Sequence, residues 1–378
     1  MTAGTYDVAI VGAGIAGASA AHFLAPKARV VVLEREDQPG YHTTGRSAAL
    51  FSETYGNAAV RALSRASRGF FDTPPPGFAE RALLAPRGVV FFGRSEHRAA
   101  LEQHADELRA TGATVEWLAP DGILSRVPAL RREWAAVGLF EAAAEDIDVH
   151  ALLSGFLRGA RAAGAQVMTG AGLDAATHDG RRWTLRTRAG EIQADIVVNA
   201  AGAWADNVAA LAGAAPLGLA PLKRTAIVFD CPRFGGATDW PMAVDATEDL
   251  YFRPDAGRFL ASPADETASP PCDAQPDELD VARLIERLQA ATTFEVARVT
   301  ARWAGLRTFA SDRTLVAGFD AARPGFFWLA GQGGYGIQTA PAMGLLATAQ
   351  IMGEPMPLRL AEAGVDSAAL APTRFIAR

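Results

Sequence analysis

The stretch Tyr6-Asp7-Val8-Ala9-Ile10-Val11-Gly12-Ala13-Gly14-Ile15-Ala16-Gly17 decides the fold. Tyr6–Val11 reads as a buried strand, and the small, apolar run Ile15–Leu24 as a helix packed under a sheet. Between them lies G-x-G-x-x-G. Gly12 allows a tight turn, Gly14 lets backbone approach a pyrophosphate, and Gly17 lets helix and strand pack closely. The helix start adds unpaired N–H groups and a positive dipole end, both suited to phosphate. Such a turn alone would also fit a purely structural role. Here a second strand, Arg29–Leu33, follows and ends in Glu34, 34 − 14 = 20 residues past the middle glycine. That is where a ribose hydroxyl needs an acceptor, so the stretch points to a dinucleotide.

After Glu34-Arg35, a nicotinamide-binding unit would continue into a plain crossover helix. This chain runs instead through Gln38-Pro39-Gly40-Tyr41-His42-Thr43-Thr44-Gly45-Arg46-Ser47-Ala48-Ala49, a loop suited to binding a long cofactor through backbone N–H groups and hydroxyls. Three later motifs accompany it: Asn199-Ala-Ala-Gly-Ala-Trp-Ala-Asp206, Trp303-Ala-Gly-Leu-Arg307 and Gly331-Gln-Gly-Gly-Tyr-Gly-Ile-Gln338. Together they resemble the amino-acid and amine oxidoreductases of the D-amino-acid oxidase superfamily over nearly the whole chain. Within it the pattern is most similar to the bacterial D-arginine dehydrogenases.

The resemblance implies FAD. It is expected to be held noncovalently, because His42 matches no flavin-attachment motif. The implied cofactor contacts begin with Gly12, Ala13, Gly14, Ile15, Ala16 and Gly17 at the turn, and Glu34 and Arg35 at the second strand's end. They continue with Thr43, Thr44, Gly45, Arg46, Ser47, Ala48 and Ala49 in the loop, then Val167, then Ala201, Gly202 and Trp204. Arg307 and the final run of Gly331, Gly333, Gly334, Tyr335, Gly336, Ile337, Gln338 and Thr339 complete the set.

A length of 378 residues suits about two domains and a core that needs no staples. The formal charge of −6, with no long Lys/Arg run, argues against nucleic acid as a partner. Two cysteines, Cys231 and Cys272, have no metal or redox spacing. A disulfide between them stays open, reduced thiols being the simpler reading. Six scattered histidines form no zinc pattern. Val8–Ala25 is cut by glycines and lacks a basic lead-in, so it is neither a leader nor a membrane span. The expected location is cytoplasmic, with peripheral contact to the inner membrane left open.

Along the chain, Asn57–Asp72 and Ser95–Thr111 read as amphipathic helices, and Asp148 as the N-cap of a helix from Val149. His97 and His104 on the second helix read as solvated or packing residues. Leu83–Phe92 reads as strand, turn and strand, with Val115–Leu118 and Val137–Phe140 as further strands. A hairpin, Trp183–Arg186 with Glu191–Ala194, leads through the strand Ile196–Ala200 to the second glycine turn. Lys223–Phe229, Met242–Asp245, Leu250–Arg253 and Phe259–Ser262 alternate as strands of an antiparallel wall. Phe326–Ala330 reads as the last strand, followed by the glycine loop and a final helix, Ile337–Ile351. The expected fold is an α/β, Rossmann-like FAD domain plus an α+β substrate domain with a mainly antiparallel sheet. Glycine turns at three distant places make the FAD domain discontinuous: 1–55, 145–220 and 315–378, with 56–144 and 221–314 forming the substrate domain.

FAD oxidises a C–N bond, so the protein must bind a carboxylate and present an α-carbon and amine. A guanidinium is the natural carboxylate clamp. Arg224, read as opening a strand, and Arg307 match positions that bind the substrate carboxylate in D-arginine dehydrogenase-like proteins; surface charge or a structural ion pair is the plainer alternative. Tyr55 and Tyr251 match that family's pocket tyrosines, and Gly334 could accept from the amine through its carbonyl. Leu50, Glu53, Met242, Val244 and Gln338 complete the expected pocket, though ordinary core packing suits Met242 and Val244 equally.

The expected reaction is oxidation of D-amino acids to imino acids, which hydrolyse to 2-oxo acids and ammonia. The electron acceptor is open: a quinone, an electron-transfer protein or O₂. Where the arginine-directed pattern carries a His and an acid, this chain has Leu50 and Pro86-Arg87-Gly88-Val89. Glu53 is the one visible substitute acid. A preference for apolar or neutral over cationic side chains is therefore expected. The alternatives are a glycine- or sarcosine-type oxidase using O₂, D-arginine dehydrogenase proper, a nicotinamide-dependent enzyme, and a flavin-binding protein without turnover.

Overall fold

The computed structural model describes residues 4–235 and 239–375. An eight-stranded sheet carries the glycine turn. Its centre is parallel: Gly190–Asn199, Gly4–Val11, Val30–Leu33 and Gln166–Met168 lie side by side, with Phe326–Ala330 parallel to Gly190–Asn199 on the other side. Val11 sits opposite both Leu33 and Asn199, and Asn199 opposite Trp328. The C-terminal ends of four strands are therefore level, the edge where open parallel sheets bind ligands. An antiparallel meander of Leu173–His178 and Trp183–Thr187 extends the sheet, and Val316–Phe319 pairs with Phe326–Ala330.

The turn needs glycine for stated reasons. Gly12 has φ +105°, and a Cβ there would lie 2.5 Å from the Ala200 carbonyl oxygen. A Cβ on Gly17 would lie 1.9 Å from the Gly12 carbonyl oxygen, so helix and strand approach as close as backbone permits. One face of the sheet is covered by four helices: Ile15–Leu24, Ala58–Asp72, Val149–Ala162 and Gly336–Ile351. Leu24, Leu63, Met343 and Leu346 are buried among them, each side chain stabilising by roughly 1.5–3 kcal/mol. Two helix starts are capped as their sequences anticipate: Asn57 accepts from the Val60 N–H and Asp148 from the Ala151 N–H.

A nine-stranded sheet forms the second wall. It is antiparallel except where Met242–Asp245 runs parallel to Val89–Gly93. Its spine is the pairing of Ala220–Asp230 with Arg298–Phe309, a twelve-residue strand that the sequence reading missed apart from its Trp303–Arg307 motif. Alternation then sorts the faces. Ala243, Phe252, Val90 and Phe92 point into an apolar cluster packed against the helix Glu278–Ala291. Tyr251, Val244 and Phe91 are register partners on the opposite face, as are Met242, Val89 and Glu141 one step along.

Several local expectations are corrected. Leu84–Pro86 and Val89–Gly93 do not pair with each other, because the first joins a small sheet with Leu50–Phe51 and Glu145–Ile147. A helix, Pro120–Arg126, was not anticipated, and two short helices, Leu358–Glu362 and Ser367–Leu370, follow the one expected to be last. Both cysteines are free, Cys231 buried and Cys272 exposed.

Candidate active site

Three connected cavities run from the glycine turn toward the second sheet. The first is walled by Gly12 and Gly14, by Glu34 and Arg35 and by Ala200–Trp204. Glu34 is buried, and its orientation is fixed by two backbone donors: Ala13 N–H to Oε2 at 2.8 Å and Glu36 N–H to Oε1 at 3.0 Å. Each oxygen keeps further acceptor capacity for a ribose hydroxyl. The Arg35 guanidinium lies 4.8 Å from the Trp204 ring centre, and the His42 ring packs 4.6 Å from the same indole. Gly14 differs from Gly12 and Gly17. The nearest atom to a Cβ there would be Thr44 Oγ1 at 3.3 Å, with no backbone in contact. The space above Gly14 is therefore open, as a pyrophosphate requires.

The second cavity shares Gly14, Thr43 and Thr44 with the first. Its loop wall is stitched to the long strand. Thr43 Oγ1 donates to the Leu306 carbonyl at 2.8 Å, and Arg46 Nη1 donates to the Ala304 and Ala274 carbonyls at 2.9 Å each. Trp303 Nε1 returns a bond to the Arg46 carbonyl at 2.9 Å. Arg46 also pairs with Asp273, which holds that carboxyl below the usual carboxylate range. Gly305, Leu306, Thr308, Gln332 and Gly333 close this cavity from the other side.

The third cavity, about 380 Å³, shares Arg224, Tyr251, Arg307 and Gly334 with the second. Its volume lies in the range of small-molecule sites. The Arg307 guanidinium donates to no group among the described residues, and the surface it retains faces the cavities. Burial disfavours its charge, but the Tyr55 and Tyr251 phenols and Glu266 outweigh this and raise its pKa above the ordinary value. Arg224 is restrained: Nε donates to the Asp265 carbonyl at 2.8 Å and Nη2 to Glu266 at 3.3 Å. Tyr55 packs edge-on against Tyr335, ring centres 5.0 Å apart, and Tyr251 is buried with its ring on the cavity-facing side of the sheet.

Residues 7–350 match the family described as DAO, FAD dependent oxidoreductase. The chain belongs to the DAO family. FAD is accordingly its cofactor, and the open space above Gly14 and the connected cavities fit it. Among curated relatives, glycine oxidase of Geobacillus kaustophilus is 26% identical over 90% of this chain and 91% of its own. FAD-dependent oxidoreductase domain-containing protein 1 of Xenopus laevis is 27% identical over 89% of this chain and 77% of its own. The crystal structure of the Geobacillus glycine oxidase superposes with a TM-score of 0.83 at 24% identity, covering 96% of this chain and 99% of that one. L-Proline dehydrogenase from P. horikoshii gives 0.81 at 19% identity, covering 99% and 98%. No helix of the described residues is long and apolar enough to cross a membrane.

Within this DAO-family site, most anticipated residues come together. Leu50, Met242, Val244 and Gln338 line the third cavity with Tyr55, Tyr251 and both arginines. Ile15, Ala16, Ser47, Ala48, Gly336 and Ile337 line the second, Ala201, Gly202 and Trp204 the first, and Ala49 the third. Others act from behind. Gly45 closes its loop through a bond to the Gly40 carbonyl, Thr339 bonds the Tyr335 carbonyl, and Gln338 ties Ser52 to Ser64. Val167 packs in the apolar cores beside the second strand and lines none of the three cavities. Arg224 does not open its strand but is the fifth residue of Ala220–Asp230.

Glu53 is the main correction. Its strand is only Leu50–Phe51, and the chain then turns through Gly56 at φ +86°, so the alternation that would set Glu53 beside Tyr55 is lost. Glu53 lines a neighbouring cavity with Arg65, Arg68, Glu116 and Glu141, the last of which lines the third cavity as well. The third cavity is not without acid either. Glu141 is 4% exposed and lines it, accepting from Thr54 Oγ1 at 2.9 Å and Ser52 Oγ at 3.2 Å. Glu107, Glu248 and His104 also line it, His104 with its ring packed 4.4 Å from that of Phe91. The one sequence signal for Glu141 was an acid at the end of an otherwise apolar strand, Val137–Glu141.

Proposed function

We propose that this FAD-dependent oxidoreductase oxidises the α-carbon–nitrogen bond of D-amino acids. The product is an imino acid, which water hydrolyses to a 2-oxo acid and ammonia. The observation that carries the reading is the unpaired Arg307 guanidinium beside Gly334, where the second and third cavities meet. A carboxylate is the anion that fits a planar guanidinium. Bound FAD supplies the acceptor for the hydride that leaves the α-carbon. Arg307 holds the carboxylate, with Arg224 as a second, less free donor, and the Tyr55 and Tyr251 hydroxyls stand beside it. The Gly334 carbonyl takes a hydrogen bond from the amine. The helix beginning at Gly336 directs its positive end toward the second cavity, where it would stabilise negative charge on the reduced flavin. Met242, Val244, Val89 and Phe91 form an apolar wall for the first carbons of the side chain.

The test is anaerobic addition of a panel of D- and L-amino acids to the holoenzyme while the flavin absorbance is followed. Bleaching by D- and not L-isomers is expected; bleaching by L-isomers alone overturns the stereochemical part. A second reading, a glycine-type oxidase, is supported by the similarity to the Geobacillus enzyme across both chains. Turnover of glycine with stoichiometric O₂ uptake would favour it. Substrates of D-arginine type are supported by Glu141, a buried acid lining the third cavity.

A further inference from the structure

The turn at residues 52–56 lines the third cavity and is gripped at each end by a charged side chain. At its start, Glu141 Oε1 accepts from Ser52 Oγ and Thr54 Oγ1. At its finish, Arg61 Nη1 donates to the carbonyl of Gly56, whose φ is +86°. Glu141 is buried and Arg61 half-buried, and both line the third cavity. Their charged atoms are more than 4.0 Å apart, and neither forms an ion pair with any described residue. Glu107 and Glu248, which line the same cavity, are exposed and do not pair with Arg61 either. Holding the turn uses only part of each group. Glu141 Oε2 and Arg61 Nε and Nη2 make no hydrogen bond among the described residues, yet are not sealed from solvent.

An acid and a cation kept apart in one cavity each need an opposite charge from elsewhere. A ligand with a purely cationic side chain meets Glu141 and leaves Arg61 facing its own sign; an acidic side chain does the reverse. A far end that carries both charges meets both groups. Because Glu141 and Arg61 grip the two ends of one short turn, those charges must lie close together, as an ammonium and a carboxylate on one carbon do. Taking the proposed oxidation of D-amino acids as the basis, we infer that this site is built for bis-amino acids, whose side chain ends in a second amino-acid group. Arg307 holds the carboxylate of the reacting end. Glu141 takes the far ammonium and Arg61 the far carboxylate. The cavity's volume of about 380 Å³ leaves room for both ends of such a molecule.

The experiment follows anaerobic flavin bleaching in the holoenzyme with D-Leu, D-Lys and the meso and DD isomers of 2,6-diaminopimelate. Each isomer is lysine with one further carboxylate on its far carbon, so the comparison with D-Lys isolates what Arg61 reads. The better isomer is expected to reduce the flavin about tenfold more efficiently than D-Lys, through tighter binding. Arg61→Met should bring that ratio to about one, and Arg61→Lys should keep part of it. Glu141→Gln should weaken D-Lys and both isomers together. If Arg61 only braces the turn, Arg61→Met changes D-Lys and the isomers alike and the ratio survives, which overturns the assignment. Neither isomer surpassing D-Lys in the wild type, or D-Leu surpassing all three, overturns it as well, while the oxidation of D-amino acids stands. Bleaching by none of the four compounds removes the proposed reaction itself, and this inference with it.

Discussion

Arg307 and Tyr55 converge on one glycine. A Cβ built on Gly334 would lie 3.2 Å from Nη1 of Arg307 and 3.4 Å from the Tyr55 hydroxyl. The guanidinium and the phenol therefore share the space that Gly334 leaves open. Gly334 itself lines both the second and the third cavity. A carboxylate seated between the two groups brings its own α-carbon to the junction where oxidation must occur.

Replacing Arg307 by Met removes a guanidinium that donates to no group among the described residues. The lost charge-assisted contact should cost about 2–4 kcal/mol of transition-state binding, or roughly 30- to 900-fold in kcat/KM. Arg307→Lys should also be poor, since an ammonium cannot form the planar pair. FAD content, read from the flavin-to-protein absorbance ratio, should stay stoichiometric. A Met variant with wild-type kcat/KM would remove Arg307 from the site.

Gly14→Val tests the phosphate turn. The backbone there has φ −72°, which any residue adopts, and a Cβ meets only Thr44 Oγ1. The variant should therefore fold, yet its side chain would stand where the pyrophosphate approaches. Protein with native circular dichroism and little flavin is the expected outcome. Stoichiometric FAD in that variant would contradict the assignment.

The glycine turn, Glu34 and the final loop were legible because local backbone geometry demands particular residues there: Gly12 at φ +105° and Gly17 against a carbonyl admit nothing else. Met242 and Val244 were legible because alternation fixes faces. Glu141 was not, since it joins the cavity only through register with Val89, 52 residues away in sequence (141 − 89). Glu53 misled for the complementary reason. The period-two rule holds only while a strand lasts, and this one ends at Phe51.

His22 gives the fold a pH dependence of known sign. It packs among Phe23, Phe70, Phe78 and Phe156, and burial pushes its pKa below the ordinary 6.5, although the imidazole's interaction as donor to the Phe156 backbone works the other way. The folded protein keeps this imidazole neutral, while the unfolded chain takes up a proton as pH falls through about 6.5. Its contribution is thus fully present above that value and declines below it. His22→Phe should raise Tm relative to wild type at pH 5–6, with the difference constant above about pH 7.5. An identical pH slope for both proteins would show that His22 titrates alike in the two states.

The last prediction concerns the substrate side chain. The expected preference for neutral side chains rested on a cavity without acid, and Glu141 removes that premise. Two hydroxyls donate to one of its oxygens, and although Arg61 lines the same cavity, no cation among the described residues forms an ion pair with it. A buried carboxylate left so is costly unless a ligand brings a donor or positive charge. D-Arg and D-Lys should therefore exceed D-Leu, D-Met and D-Phe in kcat/KM. Glu141→Gln should cut the cationic pair by about 10- to 150-fold, the value of a hydrogen bond to a charged group, and change the neutral ones by less than about threefold. Glu53→Gln should leave the whole ranking alone, because Glu53, unlike Glu141, does not line the third cavity. If D-Leu leads in the wild type and Glu141→Gln leaves the order unchanged, Glu141 only braces Ser52 and Thr54, and the preference for neutral side chains stands.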